Sequence, residues 1–109
     1  MENNKISTFM GFVMRTKRYR IGVNAGATLK KAELMVVCKT ASENTKKDAD
    51  KLARRLHVPL LETVEQTLEA YVHHENAKVM AITDKGLAKA ILENRENHFI
   101  ARNLGDKNG

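Results

Sequence analysis

The run Leu34-Met35-Val36-Val37-Cys38 does most to limit what this chain can become, because it is wholly apolar, rich in valine and only five residues long. A run of that length and composition reads as a strand covered on both faces. It is flanked by helical periods. Ile6, Phe9, Met10, Val13 and Met14 follow the i, i+3, i+4, i+7, i+8 stripe of a helix packed on a core, and Ala49, Leu52, Ala53 and Leu56 repeat that stripe after Ser42, a residue suited to cap the helix from Glu43. A strand needing cover on both sides, between helices that each cover one side, calls for three layers.

The remaining elements fit the same plan. Tyr19 to Ile21 reads as a short extended piece, and Val23 to Lys31 as a short helix weakened by Gly26. Val58 to Leu61 reads as a strand whose Pro59 suits a strand start or an edge. Thr63-Val64-Glu65-Gln66 has capping-box spacing for a helix with Val64, Leu68, Tyr71 and Val72 on its apolar face. Val79 to Ile82 makes a fourth strand, and Thr83-Asp84-Lys85-Gly86 a turn and cap into a last helix with Leu87, Ala90 and Ile91 inward. The expected fold is therefore α/β, a three-layer α/β/α sandwich around a small central mixed four-stranded sheet. Residues 1–93 form its single domain. Residues 94–109 are a polar tail with only Phe99, Ile100 and Leu104 to bury, expected to be loosely docked.

Charge is distributed unevenly. Met1 to Lys47 carries 10 Lys and Arg against 3 Asp and Glu, a net of +7, whereas Asp48 to Gly109 carries 9 against 10, a net of −1. The whole excess of +6 lies in the first part, the footprint of a polyanion binder and in a soluble chain most often of a nucleic-acid binder. Its densest point is Arg15-Thr16-Lys17-Arg18-Tyr19-Arg20, which runs into Gly22, Asn24 and a helix start. Unpaired N–H groups at a helix start favour phosphate, and glycine permits close approach. A solvated basic loop is the plain alternative. Lys46, Lys47, Lys51, Arg54 and Arg55, interleaved with Asp48 and Asp50, read mainly as a solvated helix face.

Other chemistry is poorly served. His73 and His74 are adjacent and so point apart on a helix, which suits a surface pair better than a metal site. Cys38, the single cysteine, lies in the apolar strand with nothing to orient His57 toward it. Gly22-Val23-Asn24-Ala25-Gly26 matches neither dinucleotide nor P-loop patterns. No enzyme, metal or cofactor is expected. No apolar run approaches the roughly 20 residues of a membrane span, and no signal-peptide pattern stands at the start, so a cytoplasmic location without membrane attachment is expected.

Four segments together carry a family resemblance. Phe9-Met10-Gly11-Phe12-Val13-Met14-Arg15, Ala41-Ser42-Glu43-Asn44-Thr45-Lys46-Lys47, Val58-Pro59 and Ala81-Ile82-Thr83-Asp84-Lys85-Gly86-Leu87-Ala88-Lys89 resemble, in order and placement, the L-seven-Ae ribosomal protein family and its bacterial YlxQ-like, ribosome-associated branch. The similarity runs from about Phe9 to Leu92. It implies a non-catalytic protein that binds structured, kink-turn-like RNA. It also implies ribosomal RNA or other structured RNA as partner, ribosomal proteins as further neighbours, no small-molecule substrate, and a monomer.

On the family's pattern the contacts fall on Gly22 and Asn24 at the second helix and on Ile82, Thr83, Asp84 and Lys85 before the last. Lys17, Arg18 and Arg20 would position phosphates, Asn24 would hydrogen-bond a base edge, and Tyr19 would stack on an unpaired base. The chain departs from the pattern at Ala25, where the family has glutamate, and at Thr28, where it has a cation. Its Gly22 to Ala32 segment is also shorter by roughly one helical turn. The alternative expectation is a protein-interaction or regulatory module on the same fold that has lost specific RNA binding.

Overall fold

The computed structural model describes residues 5–103. Helix α1 (Lys5–Thr16) leads to strand β1 (Tyr19–Ile21), helix α2 (Val23–Ala27), strand β2 (Leu34–Val37), helix α3 (Glu43–Leu56) and strand β3 (Leu60–Thr63). Helix α4 (Leu68–Val72), strand β4 (Val79–Ile82), helix α5 (Lys85–Glu93) and strand β5 (Phe99–Asn103) follow. The strands form one sheet in the order β1-β4-β2-β3-β5. β2 and β3 are parallel and every other neighbouring pair is antiparallel.

The alternation of side chains along the inner strands separates two cores. Leu34, Val36 and Cys38 of the β2 run, with Leu61, Met80 and Ile82, meet α1, α4 and α5 through Ile6, Met10, Val13, Leu68, Tyr71, Val72, Ala88 and Ile91. Met35 and Val37, with Leu60, Val79 and Ala81, meet α3 through Ala49, Leu52 and Ala53, and Val23 and Leu29 pack at their margin. β2 is thus buried on both faces, as an uninterrupted apolar strand must be. Each such Leu or Val removed from water contributes about 1.5–3 kcal/mol.

Several local signals are realised where the sequence puts them. Ser42 Oγ accepts from Thr45 N–H at 3.1 Å at the start of α3, and Asp84 Oδ1 accepts from Leu87 N–H at 2.9 Å at the start of α5. Pro59 lies just ahead of β3, and its carbonyl accepts from Met35 N–H at 3.0 Å. Gly26 sits where α2 crosses α3, and a Cβ there would lie 3.0 Å from Leu52 Cδ2.

Three expectations need correction. The sheet has five strands, not four, because Phe99–Asn103 pairs antiparallel with β3. An edge strand has one neighbour, so Phe99 turned inward suffices to seat it while Ile100, Ala101 and Arg102 stay exposed; that pattern gives little periodic signal. Leu104 lies outside the described residues. The α2 helix stops at Ala27 instead of reaching Lys31, since Thr28 turns back and both its N–H and its hydroxyl bond the Ala25 carbonyl. The capping-box reading at Thr63 also fails. Thr63 is the buried end of β3 and its Oγ1 accepts from Lys39 N–H at 3.0 Å, whereas the cap of α4 is Thr67, accepting from Ala70 N–H at 3.1 Å.

Candidate nucleic-acid interface

β1 is an edge strand held by β4 alone, in the register Tyr19 to Ile82, Arg20 to Ala81 and Ile21 to Met80. Beyond the ladder, Thr83 N–H donates to the Arg18 carbonyl at 2.9 Å. The basic run and the segment Ile82 to Lys85, more than 60 residues apart in sequence, are thereby laid side by side. Lys17 and Arg18 are exposed, and Lys17 takes a left-handed backbone conformation at φ 60° as the chain leaves α1. Arg20 is exposed and its Nη1 bonds the Tyr19 carbonyl at 3.0 Å. Tyr19 is half-buried against the first core, which leaves part of its ring accessible.

The members of the second segment divide by role. Ile82 is fully buried and its carbonyl accepts from Glu33 N–H at 2.8 Å, so it seats the loop from below. Thr83 is half-buried. Asp84 spends one carboxylate oxygen on the α5 cap, and Lys85 is exposed in the first turn of that helix.

Gly22 and Asn24 stand elsewhere. Gly22 N–H donates to the Val79 carbonyl at 2.8 Å, at the opposite end of β1 from Arg18 and Thr83. Four residue steps along the strand separate Val79 from Thr83, about 13 Å at the usual rise. Gly22 adopts φ 99° and ψ 149°, a region open only to glycine, and precedes α2 without supplying any side-chain cap. Asn24 is exposed on the rim of a shallow cleft of about 580 Å³ lined also by Val23, Asp48, Asn76 and Lys78. The two groups of residues expected to act together therefore bracket β1 from opposite ends.

Asn76 and Lys78 escaped sequence reasoning, as no local pattern marks them. A network fixes both. Lys78 Nζ bonds Thr40 Oγ1 at 2.8 Å and Glu69 Oε1 at 3.1 Å, and Glu69 Oε2 accepts from Asn76 N–H at 2.7 Å. These bonds hold the Glu69 carboxyl below the usual carboxylate range, the Lys78 contact contributing most. Cys38 lies just inside. Burial pushes its thiol up, but hydrogen bonds from Thr40 and from Leu68 N–H, with the Lys78 charge, outweigh that and leave it below its ordinary value. His57, exposed at the end of α3, is at the far end of β2 from Cys38, so the pair makes no nucleophile and base.

His73 takes the left-handed position that ends α4, and His74 Nδ1 faces the Glu75 carbonyl at 3.0 Å. Among the described residues no three His, Cys, Asp or Glu side chains gather as a metal site would require. Nor is any described helix long and apolar enough to cross a membrane.

The described residues form an α/β domain with helices packed on both faces of one sheet, and its β1 margin carries exposed cations. No family model matches the chain, and no curated protein matches it.

Proposed function

We propose that this protein is a non-catalytic, cytoplasmic RNA-binding protein of the L-seven-Ae type, associated with ribosomes and holding structured, kink-turn-like RNA through the basic loop before β1. One observation carries the reading. The bond from Thr83 N–H to the Arg18 carbonyl joins, in one margin, the basic run and the segment before the last helix that the resemblance marks as contacts. The three-layer arrangement and the cationic excess of the first 47 residues support it further.

In this reading Lys17, Arg18, Arg20 and Lys85 hold phosphates, and the accessible part of Tyr19 meets an unpaired base. Asn24, at the other end of β1, touches only an RNA that bends past both ends of the strand. A plain duplex need not reach it. The test is a titration of kink-turn RNA, unkinked duplex and a ribosomal fraction at several salt concentrations. Arg18→Ala is expected to weaken all three alike, and Asn24→Ala to reduce only the preference for the kinked form. Absence of binding to all three at low salt would sink the proposal.

A second reading has its own observation. The Ala25 side chain offers no acceptor for a base, and Thr28 carries no charge for a phosphate and spends its hydroxyl on the Ala25 carbonyl at 2.8 Å, so the departures from the family's pattern remove one contact that selects RNA and one that holds it. A protein-interaction or regulatory module on this fold would bind the ribosomal fraction, or its proteins, after ribonuclease treatment.

A further inference from the structure

The topology collects cations that the linear basic run does not contain. Because β1 and β2 both run antiparallel to β4, the segments entering β1 and β2 emerge at one end of the sheet, beside the segment leaving β4. Three bonds align them with the entry to β3. Thr83 N–H reaches the Arg18 carbonyl at 2.9 Å, Glu33 N–H the Ile82 carbonyl at 2.8 Å and Met35 N–H the Pro59 carbonyl at 3.0 Å. At strand spacing these four chain crossings span about 14 Å. On them, or within a few residues of them, lie Lys17, Arg18, Lys30, Lys31 and Lys85, all exposed.

These five differ from the other cations around them. Among the described residues none enters an ion pair. Arg54, by contrast, pairs with Asp50 at 2.9 Å, Arg55 bonds the Ala27 carbonyl at 2.9 Å, and Arg15 lies over the Phe12 ring at 5.5 Å. At the opposite end of the sheet Lys46 and Lys78 are paired with Glu62 and Glu69, and Lys39 bonds the Val64 carbonyl. Among the described residues Lys5, Lys47, Lys51 and Lys89 are likewise exposed and enter no ion pair, but they are spread along α1, α3 and α5, whereas these five gather at the end where β1 and β2 begin. Of the carboxylates on these crossings among the described residues, Asp84 is engaged as the α5 cap and Glu33 is half-buried.

We propose that the sheet end where β1, β2 and β3 begin and β4 stops is a docking surface for an RNA duplex backbone, with Lys30 and Lys31 holding phosphates together with Lys17, Arg18 and Lys85. This deepens, and rests on, the RNA-binding reading above. The chemistry of the surface favours RNA over other polyanionic partners. Among the described residues the exposed large apolar side chains are Phe12, Val64 and Ile100, and none of them stands on these loops, so the described part of the surface offers no wedge for a bilayer and no anchor for a protein pocket. Its cations ride on loops and on the first turn of α5, with no helix standing clear to enter the major groove of B-form DNA. Contact through phosphate and sugar is the mode by which duplex RNA is held.

The test compares the full chain with Lys30→Ala/Lys31→Ala and with a charge-matched control, Lys47→Ala/Lys51→Ala on the exposed face of α3, all four positions being exposed. Each protein is titrated with a plain RNA duplex over a range of salt. Loss of two phosphate contacts should weaken binding at low salt by tenfold or more and make the slope of log K against log salt shallower by about 2, with the control near wild type. Equal losses in both variants, or no loss in the first, would overturn the placement alone. Failure of the wild type to bind any RNA would instead overturn the RNA reading on which it rests. Preferential binding to the matching DNA duplex, or to phosphatidylserine vesicles, would overturn the assignment of partner.

Discussion

At the scale of single residues, two positions are held under constraints that no neighbour in sequence reveals. Gly22 takes φ 99° and ψ 149° with nothing within 4 Å of where a Cβ would stand, so its requirement is conformational and not steric. Gly22→Ala should therefore cost about 1–3 kcal/mol of stability, seen as a lower midpoint in denaturant with an unchanged slope. Tyr71 presents the reverse case. Its ring is buried against Phe99 at 5.8 Å, yet its hydroxyl has no partner among the described residues. Burial, with the nearby Glu65 charge, pushes its pKa up to about 12. Removing an unpaired buried hydroxyl relieves a desolvation cost of about 1–3 kcal/mol, so Tyr71→Phe is expected to raise the thermal midpoint. The raised pKa has a signed consequence. The protonated phenol's contribution is complete below the ordinary value near 10 and is lost as pH rises toward about 12, so alkaline unfolding should begin later in the Tyr71→Phe protein.

At the scale of elements, β5 shows how a strand with almost no apolar pattern is kept. Its register slips between Leu60 and Leu61, leaving Arg102 as the extra residue of a bulge, a device that re-aims a side chain. Arg102 Nη1 meets Glu62 Oε1 at 2.7 Å, and Lys46 Nζ meets the other oxygen at 3.1 Å, tying β5, β3 and α3 through one largely buried carboxylate. Burial pushes the Glu62 pKa up, but the hydrogen bonds and charges of Arg102 and Lys46 prevail and lower it. A lowered carboxyl pKa stabilises fully above the unfolded value of about 4.3, and that stability is lost as pH falls through the folded value. Glu62→Gln should cost about 1.5–3 kcal/mol at neutral pH and flatten the acid limb of the stability profile, measured by urea titration between pH 3 and 7. The same details explain what was legible. β2, β4, α3 and α5 announce themselves by apolar runs, stripes and caps. β5 depends on an ion pair with a residue 40 positions away, and the ends of α2 and α4 are set by Thr28 and Thr67 in competition with equally plausible neighbours.

At the scale of the whole molecule, the proposed binding of RNA at the basic end of the sheet would be linked to folding. A ligand that binds only the folded chain stabilises it by about 2.7 kcal/mol at a hundredfold excess over its Kd. For a domain of this size that is a rise of several degrees in thermal midpoint. A plain RNA duplex should produce this rise for the wild type and a smaller one for Lys30→Ala/Lys31→Ala, measured by calorimetry at low salt; no shift in the wild type would contradict the linkage.

What the sequence determined by itself was the layering and the presence of a cationic excess, because both follow from composition and period, which are local quantities. It also marked the basic run and Asp84 as features of element junctions. Which cations stand together was decided only by the tertiary structure. The antiparallel pairing of β1 and β2 with β4 brings Lys30 and Lys31 to the same end as Arg18 and Lys85, and carries Gly22 and Asn24 to the other. Strand direction is settled by how the whole apolar surface closes, and no stretch of the chain contains that information alone.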